Sequence, residues 1–404
     1  MSRRFSASSL PRGFSYSAVA CGLKKSGLDL GLLVSDAPAS AACVFTTNLV
    51  QAAPVLVSRA HLKKSRHKIL GVIVNSGNAN CATGLLGLAA ATATTREVAR
   101  SLGGHDPSQI LVCSTGVIGV PLRVEKILRG IPALIRSRAA TPVAFAQFTR
   151  AIMTTDTRPK WAAANCLVGG KRIRIVGCCK GAGMIHPRMA TMLAFLATDA
   201  SASPAVLSRA LRQVTGTTFN SISVDGDTST NDTIALLANG ASSAPPIRSS
   251  GADYDKFLAA LESVCRSLAL QIVADGEGAQ RIIEIEVRGA SSDRAAVRIA
   301  RTIATSPLVK TALAGADPNW GRVLAAAGRS GDHFDPDRVD IRMGRILMCR
   351  HGRPVSFNES VAHRRLLAKH VPILVDLHSG RGSARVWTCD FTADYVKINA
   401  SYRS

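Results

Sequence analysis

Aromatic residues are scarce in this chain, since Phe, Trp and Tyr together make up 4% of it. Proteins that bind single-stranded nucleic acids usually combine aromatic stacking platforms with a basic groove. The basic residues here are scattered in ones and twos, as in Lys63-Lys64 and Arg364-Arg365, so we expect no nucleic-acid partner. No uninterrupted apolar run reaches the ~18 residues that a membrane span needs, so we expect no membrane partner either.

The ten cysteines include no C-x-x-C pair and are spread along the whole chain. This spacing argues against a zinc module and against a disulfide framework. The vicinal pair Cys178-Cys179 could be redox-active, but buried thiols in a reducing compartment are the simpler interpretation. We predict a cytoplasmic protein, although the Arg- and Ser-rich residues 1–17 resemble the start of a short transit peptide.

The chain has 404 residues, of which 47% are hydrophobic, and its formal net charge is +23. This length is typical of two or three domains or of one large α/β unit. The apolar fraction excludes bulk disorder. The positive charge fits an anionic small substrate or a generally basic proteome equally well.

Strand-like and helical segments alternate along the chain, which predicts an α/β fold. Lys68–Asn75 and Ile110–Ser114 have the pattern of buried strands, and Thr83–Leu102 has helical composition. Lys171–Cys178 alternates as a strand does and ends in the basic, glycine-rich turn 180–183. Loops that follow strands are where α/β proteins usually place their chemistry, so these turns are candidate site segments.

The segment Lys180–Ala200, KGAGMIHPRMATMLAFLATDA, is the most informative one. Taken alone, Thr191 would be a β-branched core residue. A threonine hydroxyl becomes a useful nucleophile only beside a base. If the Ala190–Thr191 bond were cut, the new α-amine, with a pKa of ~7.7–8, could take the hydroxyl proton. The residues alone do not establish this mechanism.

This segment resembles the cleavage and nucleophile motif of the ornithine acetyltransferase family, the glutamate N-acetyltransferases of arginine biosynthesis. The resemblance extends along nearly the whole chain. Its further motifs include 75–80 (NSGNAN), 114–119 (STGVIG), 220–233 (NSISVDGDTSTNDT), 275–278 (DGEG), 317–322 (DPNWGR) and 394–399 (DYVKIN).

The resemblance implies a precursor that cuts itself between Ala190 and Thr191. Residues 1–190 would form an α chain and residues 191–404 a β chain, associated as a heterotetramer of two α and two β chains. Thr191 would take an acetyl group from N-acetylornithine and pass it to glutamate by ping-pong transfer. Two α/β domains with helix-covered sheets and an active site at their interface are implied, without a cofactor. Acetyl-CoA is a candidate co-substrate, because some members of the family use it.

The resemblance also implies roles for individual residues, each of which has a plainer structural interpretation when taken alone. Thr115 and Gly116 match an oxyanion hole but otherwise indicate a turn. Lys180 matches a substrate-contacting lysine and could hold a substrate carboxylate. Thr154 and Thr155 are candidates for a further contact, of which we favour Thr154.

The remaining implied contacts lie in the last third of the chain. Glu277 matches a substrate-binding glutamate that would pair with an amine, and Asn399 and Ser404 match C-terminal positions that fold over the substrate. His186, Asp225 and Asp227 are not required by this mechanism, and we interpret His186 as structural. The aspartate spacing lacks the calcium-loop pattern, so we predict no metal.

Two other classes of function stay open at this point. An N-terminal-nucleophile aminopeptidase or amidase would use the same self-generated nucleophile with water as the acceptor. A protein that no longer cleaves itself and binds nucleic acid through its charge would lose affinity with salt. Retention of Ala190-Thr191 argues against this third possibility.

Overall fold

A computed structural model describes residues 7–186 and 192–401 of the chain. Three predicted site residues, Ala190, Thr191 and Ser404, lie outside these ranges. The strands are β1 (Phe14–Val19), β2 (Leu30–Phe45), β3 (Lys68–Asn78), β4 (Ile110–Val117), β5 (Lys160–Val168), β6 (Lys171–Lys180), β7 (Leu193–Thr198), β8 (Thr233–Ala238), β9 (Ile282–Ala290), β10 (Asp340–Met343), β11 (Ile346–Arg350), β12 (Arg353–Pro354), β13 (His370–Asp376) and β14 (Gly382–Cys389).

Helices occupy most of the connections between these strands. They are α1 (Ala53–Lys64), α2 (Gly84–Ser101), α3 (Val124–Arg136), α4 (Pro142–Ala151), α5 (Pro204–Thr217), α6 (Ala252–Ala274), α7 (Asp293–Ala304), α8 (Pro307–Ala314), α9 (Trp320–Gly328), α10 (Glu359–Leu366) and α11 (Ala393–Ser401). Proline at the first helical position starts α4, α5 and α8, and the side chains of Thr141 and Ser203 cap the first two of these.

The larger sheet has eight strands in the order β4-β3-β2-β8-β7-β6-β5, with β1 paired to the first half of β2. β3 and β4 run parallel, as do β7 and β8, whereas β6 is antiparallel to both of its neighbours. The register of β2 against β3 shifts between Val34 and Ala39, and the residues between them, Asp36–Pro38, are exposed. On the edge opposite β3, the part of β2 before this irregularity pairs with β1 and the part after it pairs with β8.

The two halves of this sheet enclose one apolar layer between them. That layer takes side chains from β3, β4, β6, β7 and β8, and Phe148 of α4 meets Phe195 of β7 there, with ring centroids 5.7 Å apart. A separate cluster joins β2, β3 and β4 to α2 and α3, and another joins β6, β7 and β8 to α5 and α6. The alternation of side chains along each strand produces this arrangement, with Leu193 and Phe195 facing inward and Ala194 and Leu196 facing the helices.

The smaller sheet has six strands in the order β12-β11-β10-β13-β9-β14. Its core is a separate cluster that includes Ile283 and Ile285 of β9 and Ile299 and Ile303 of α7. The predicted fold class, α/β with helix-covered sheets, is therefore confirmed.

Helix α6 is the one helix in the described ranges whose length and composition would allow it to cross a membrane. In this fold it packs against β5 and β6. Phe257, Leu261, Leu268 and Ile272 on its buried face belong to the core. Its composition is therefore that of a core helix.

Candidate functional site

A cavity of about 120 Å³ opens where β4 and β6 end. Every predicted site residue that falls in the described ranges lines this cavity, although these residues are far apart in the sequence. They are Thr115, Gly116, Thr154, Thr155, Lys180, Glu277 and Asn399. The structure does not separate Thr154 from Thr155, because both line the cavity. Thr191, Ala190 and Ser404 lie outside the described residues.

The wall formed by β4 depends on a close approach of two backbones at Gly116. This residue has a φ of +131°, and a Cβ placed on it would lie 2.4 Å from the carbonyl carbon of Gly77 on β3. Any side chain would therefore force the ends of β3 and β4 apart. Because Gly116 has no side chain, its backbone faces the cavity directly beside Thr115.

Buried amides hold this wall in place. Asn231 donates from Nδ2 to the carbonyl oxygens of Ala79 (2.7 Å) and Ser114 (2.9 Å), so it ties the ends of β3 and β4 to the start of β8. Ser114 in turn donates to Asn75 Oδ1 at 2.6 Å. Asn231 also lines the cavity, although it was not among the predicted site residues.

Lys180 is a buried cation at the end of β6, with 6% of its surface exposed. Burial lowers the pKa of its ammonium, and the carboxylate of Asp156 opposes that effect. The ammonium makes no hydrogen bond to another residue within 7–186 and 192–401. A buried lysine that lines a cavity and whose ammonium makes no hydrogen bond to another described residue is suited to bind an anionic group.

Asp156 organises the charges behind Lys180. Its Oδ1 accepts from Lys160 Nζ (2.6 Å) and from the Gly181 amide (2.7 Å), and its Oδ2 accepts from the Thr154 amide (3.0 Å). Burial alone would raise the pKa of this carboxyl, but Lys180, Lys160 and the Gly181 amide together lower it. Asp156 therefore connects the segment at Thr154 to the turn at Gly181, and both segments border the cavity.

Glu277 brings a carboxylate to the cavity from the turn after α6. Its amide donates to the Ala182 carbonyl (2.8 Å), and its Oε2 accepts from Asn399 Nδ2 (2.8 Å). A Cβ on Gly183 would lie 2.4 Å from the same Oε2, so only glycine leaves room for this carboxylate. The helix α11 thus reaches the cavity through the residue predicted to fold over the substrate.

Asp225 is a second cavity carboxyl, which the sequence analysis set aside. It accepts from the amides of Met184 and Ile185, and the Tyr395 hydroxyl lies 3.4 Å from its Oδ2. Burial raises the pKa of Asp225 to about 6, although its backbone donors act against this shift. Because Met184 has a φ of +56°, which is unfavourable outside glycine, these bonds hold a strained turn.

The other side chains singled out near this turn have modest roles in the described contacts. His186 Nδ1 lies 3.4 Å from Ser223 Oγ, which agrees with its structural interpretation. Asp227 lines the cavity next to Asp225. Both carboxyls belong to the aspartate-rich segment 220–233, whose abundance of acidic residues is the signal in the sequence that points to them.

The fold and cavity define an α/β protein with a small pocket lined by a buried cation and by carboxylates. A profile of the ArgJ family matches residues 15–404. The arginine biosynthesis bifunctional protein ArgJ of Symbiobacterium thermophilum is 47% identical over 397 residues, covering 98% of each chain. Its counterpart from Thermotoga neapolitana is 46% identical over 399 residues, covering 98% of this chain and 100% of the relative.

One solved structure can be set beside these relatives. It is an arginine biosynthesis bifunctional protein from Bacillus halodurans, 44% identical to this chain, covering 50% of this chain and 96% of that one with a TM-score of 0.49. From the profile and the relatives, the chain belongs to the ArgJ family. The family resemblance predicted from the motifs is confirmed.

Proposed function

We propose that this chain transfers the acetyl group of N-acetylornithine to glutamate, giving ornithine and N-acetylglutamate. As a member of the ArgJ family, it is an acyltransferase of arginine biosynthesis. The observation that carries the substrate assignment is one cavity that holds both a buried lysine, Lys180, and a carboxylate, Glu277. Both substrates are amino acids with a carboxylate and an amine, so one pocket of this kind can accept each in turn.

The proposed chemistry is ping-pong acyl transfer through Thr191. Its hydroxyl attacks the acetyl carbonyl of N-acetylornithine, and ornithine leaves with the proton that the hydroxyl lost. The amine of glutamate then attacks the acetyl ester, the bond from the acetyl carbon to the Thr191 oxygen breaks, and the proton that the amine loses restores the Thr191 hydroxyl. Each step passes through a tetrahedral oxyanion, for which the backbone at Thr115 and Gly116 is the proposed hydrogen-bond donor. Lys180 would hold the substrate carboxylate, with Glu277 and Asn399 at the amine and Thr154, Thr155 and Ser404 completing the site.

Self-cleavage at Ala190–Thr191 is the proposed source of the nucleophile. It would give an α chain of residues 1–190 and a β chain of residues 191–404. The packing supports a stable pair, because β6 and β7, which flank the cleavage site in the sequence, are neighbours in one sheet with Lys180 opposite Leu193. We further propose a heterotetramer of two α and two β chains in the cytoplasm, with no metal or organic cofactor.

Product analysis tests this function directly. Purified protein is incubated with N-acetylornithine in the presence and absence of glutamate, and ornithine, N-acetylglutamate and acetate are quantified by mass spectrometry. We expect equal amounts of ornithine and N-acetylglutamate with glutamate present, and at most one acetyl group per enzyme without it. Continuous acetate release without glutamate would instead identify an amidase.

Two further arms sharpen this assay. Glutamate with acetyl-CoA in place of N-acetylornithine shows whether acetyl-CoA is a second donor. The Thr191→Ala variant is the matched control, and we expect it to stay uncleaved and inactive with either donor.

A further inference from the structure

Lys180 lies close to a carboxylate that its ammonium does not bind. The Gly181 amide donates to Asp156 Oδ1 at 2.7 Å. Because this nitrogen belongs to the peptide bond that follows Lys180, Oδ1 lies within about 5 Å of the Lys180 Cα, which is within reach of a lysine side chain. Even so, Lys180 is not among the side chains that donate to Asp156 in the described residues.

The charges of Lys180 and Asp156 nevertheless act strongly on each other. Burial lowers the pKa of Lys180, and among the carboxylates that oppose this effect Asp156 acts most strongly. Against the effect of burial, Lys180 also lowers the pKa of Asp156 more than Lys160 does. An ion pair between Lys180 and Asp156 would be favourable, so its absence requires an explanation.

Lys160 is the cation that is bonded to Asp156 instead. This lysine is fully buried, and its ammonium donates to Asp156 Oδ1 at 2.6 Å and to Asp275 Oδ2. The amides of Gly181 and Thr154 occupy two further acceptor positions on Asp156. Three of the roughly four acceptor positions of this carboxylate are therefore filled by donors other than Lys180.

This arrangement determines what the Lys180 ammonium can bind. If Lys180 were paired with Asp156, a substrate carboxylate would have to displace a buried carboxylate before it could bind. We propose that Lys160 is a positioning residue for substrate binding: by pairing with Asp156 and Asp275, it leaves the Lys180 ammonium available to a substrate carboxylate. This inference rests on the proposed function.

The second partner of Lys160 extends its effect to the other side of the cavity. Asp275 lies two residues before Glu277, and its Oδ2 also accepts from the Thr157 amide at 3.1 Å. Lys160 thus joins the carboxylate beside Lys180 to the start of the turn that carries Glu277. Lys160 is not one of the described residues that line the cavity, so it acts through these neighbours and not on substrate.

The proposal makes a prediction about pH dependence. The charged groups that act on the Lys180 ammonium are Asp156, Lys160, Asp232 and Glu277. Asp232 directly precedes β8 and accepts from the Met192 amide at 2.8 Å. Lys160 is the one cation of the four and lowers the pKa of Lys180, so removal of its charge should raise that pKa. The alkaline limb of kcat/KM for acetyl-enzyme formation should then move to higher pH.

The Lys160→Met variant tests this role, because it removes the charge and keeps an unbranched side chain. We expect the KM for N-acetylornithine to rise about tenfold or more, with kcat changed by less than about threefold. The alkaline limb should move up by about one pH unit. In a crystal structure of this variant, the Lys180 ammonium should lie within about 3.2 Å of an Asp156 oxygen.

The Asp156→Asn background separates this mechanism from a general loss of structure. Without the Asp156 carboxylate there is no anion to capture Lys180, so adding Lys160→Met to Asp156→Asn should leave KM nearly unaltered. The single Asp156→Asn change should move the alkaline limb in the opposite direction, to lower pH, because it removes an anion that favours the Lys180 ammonium. KM is compared at a pH below the alkaline limb of every variant.

Lys310→Met is the matched control. Lys310 is also a buried lysine, 2% exposed, but its ammonium donates to Thr388 Oγ1 at 2.9 Å beside β14. We expect the alkaline limb of this variant to equal that of the unaltered protein, even if the variant is less stable.

The proposal is overturned if Lys160→Met changes neither KM nor the alkaline limb, or if it raises KM equally in the Asp156→Asn background. A crystal structure of Lys160→Met in which Lys180 stays away from Asp156 also overturns it. If Lys160→Met does not fold, Lys160→Gln supplies a neutral donor of similar length, and the same comparisons decide. If the unaltered protein forms no acetyl-enzyme, the proposed function fails, whereas the position of Lys180 in the two crystal structures still decides this inference.

Discussion

Charged residues are buried around the cavity of the eight-stranded sheet, whereas the ion pairs across β9 and β14 of the six-stranded sheet lie at the surface. Lys160, Asp156 and Asp275 form a network whose side chains are at most 3% exposed. On β9 and β14, Arg288 and Arg385 pair with Glu284 and Glu286, and both arginine side chains are about half exposed. Burying charge costs desolvation that surface pairs avoid. The eight-stranded sheet therefore pays this desolvation cost at the positions where buried charges hold the cavity residues in place.

The largest expected effect comes from breaking the buried network with Lys160→Met. This change leaves Asp156 and Asp275 buried without their shared cation, and we expect the free energy of unfolding to fall by about 3–5 kcal/mol. The matched change on the exposed sheet, Arg288→Met, should cost no more than about 1 kcal/mol. Urea denaturation of both variants measures the contrast, and equal losses would contradict it.

The next effect concerns the backbone rather than the charges. Gly116→Ala places a methyl group against Gly77 and should displace the proposed oxyanion donors, so we expect kcat to fall by about 10²–10³-fold. Gly119→Ala is the control, because Gly119 also has a positive φ but has no atom within 4 Å of its Cβ position. Comparable kcat values for the two variants would remove the oxyanion role from this turn.

A smaller effect is expected from Glu277→Gln, which keeps the shape of the side chain and removes its charge. The loss of one charged hydrogen bond to a substrate amine should lower kcat/KM by about 10–100-fold. Glu262→Gln on the same helix-and-turn segment is the control, since Glu262 pairs with Arg266 near the surface. Unaltered kcat/KM in Glu277→Gln would show that this carboxylate does not bind substrate.

The smallest effect is a shift in pH dependence. Because burial lowers the pKa of Lys180, its ammonium is lost at a lower pH than the ordinary ~10.4 of a lysine. Binding of a substrate carboxylate should therefore weaken as the pH rises through that lowered pKa. Lys180→Arg stays charged and should move the alkaline limb of acetyl-enzyme formation to higher pH. An alkaline limb at the same pH in both proteins would exclude Lys180 as its source.

The strands with regular apolar patterns could be predicted from the sequence. Lys68–Asn75 and Lys171–Cys178 were correct and each continues for two or three residues, as β3 (Lys68–Asn78) and β6 (Lys171–Lys180). The strand Leu30–Phe45 was not among the predicted strands, and its exposed Asp36–Pro38 interrupt the apolar pattern. A strand that divides its pairing between two half-sheets leaves no simple alternation to detect.

The site residues also fall into two groups, those that a local motif predicts and those whose roles depend on contacts distant in the sequence. Thr115, Gly116, Lys180 and Glu277 could be found because they stand in motifs of the family. Asp225, Asn231 and Asp232 stand in a quoted motif too, but their roles depend on partners elsewhere in the chain, such as Tyr395, Ala79 and Met192. Spacing within the motif does not contain those contacts.

The central claim is that this chain makes its own nucleophile, and the most direct measurement is the denatured intact mass of the purified protein with N-terminal sequencing. We predict two chains whose masses sum to the precursor plus one water, one of them beginning at Thr191. A single chain that stays intact in a folded sample would contradict the account.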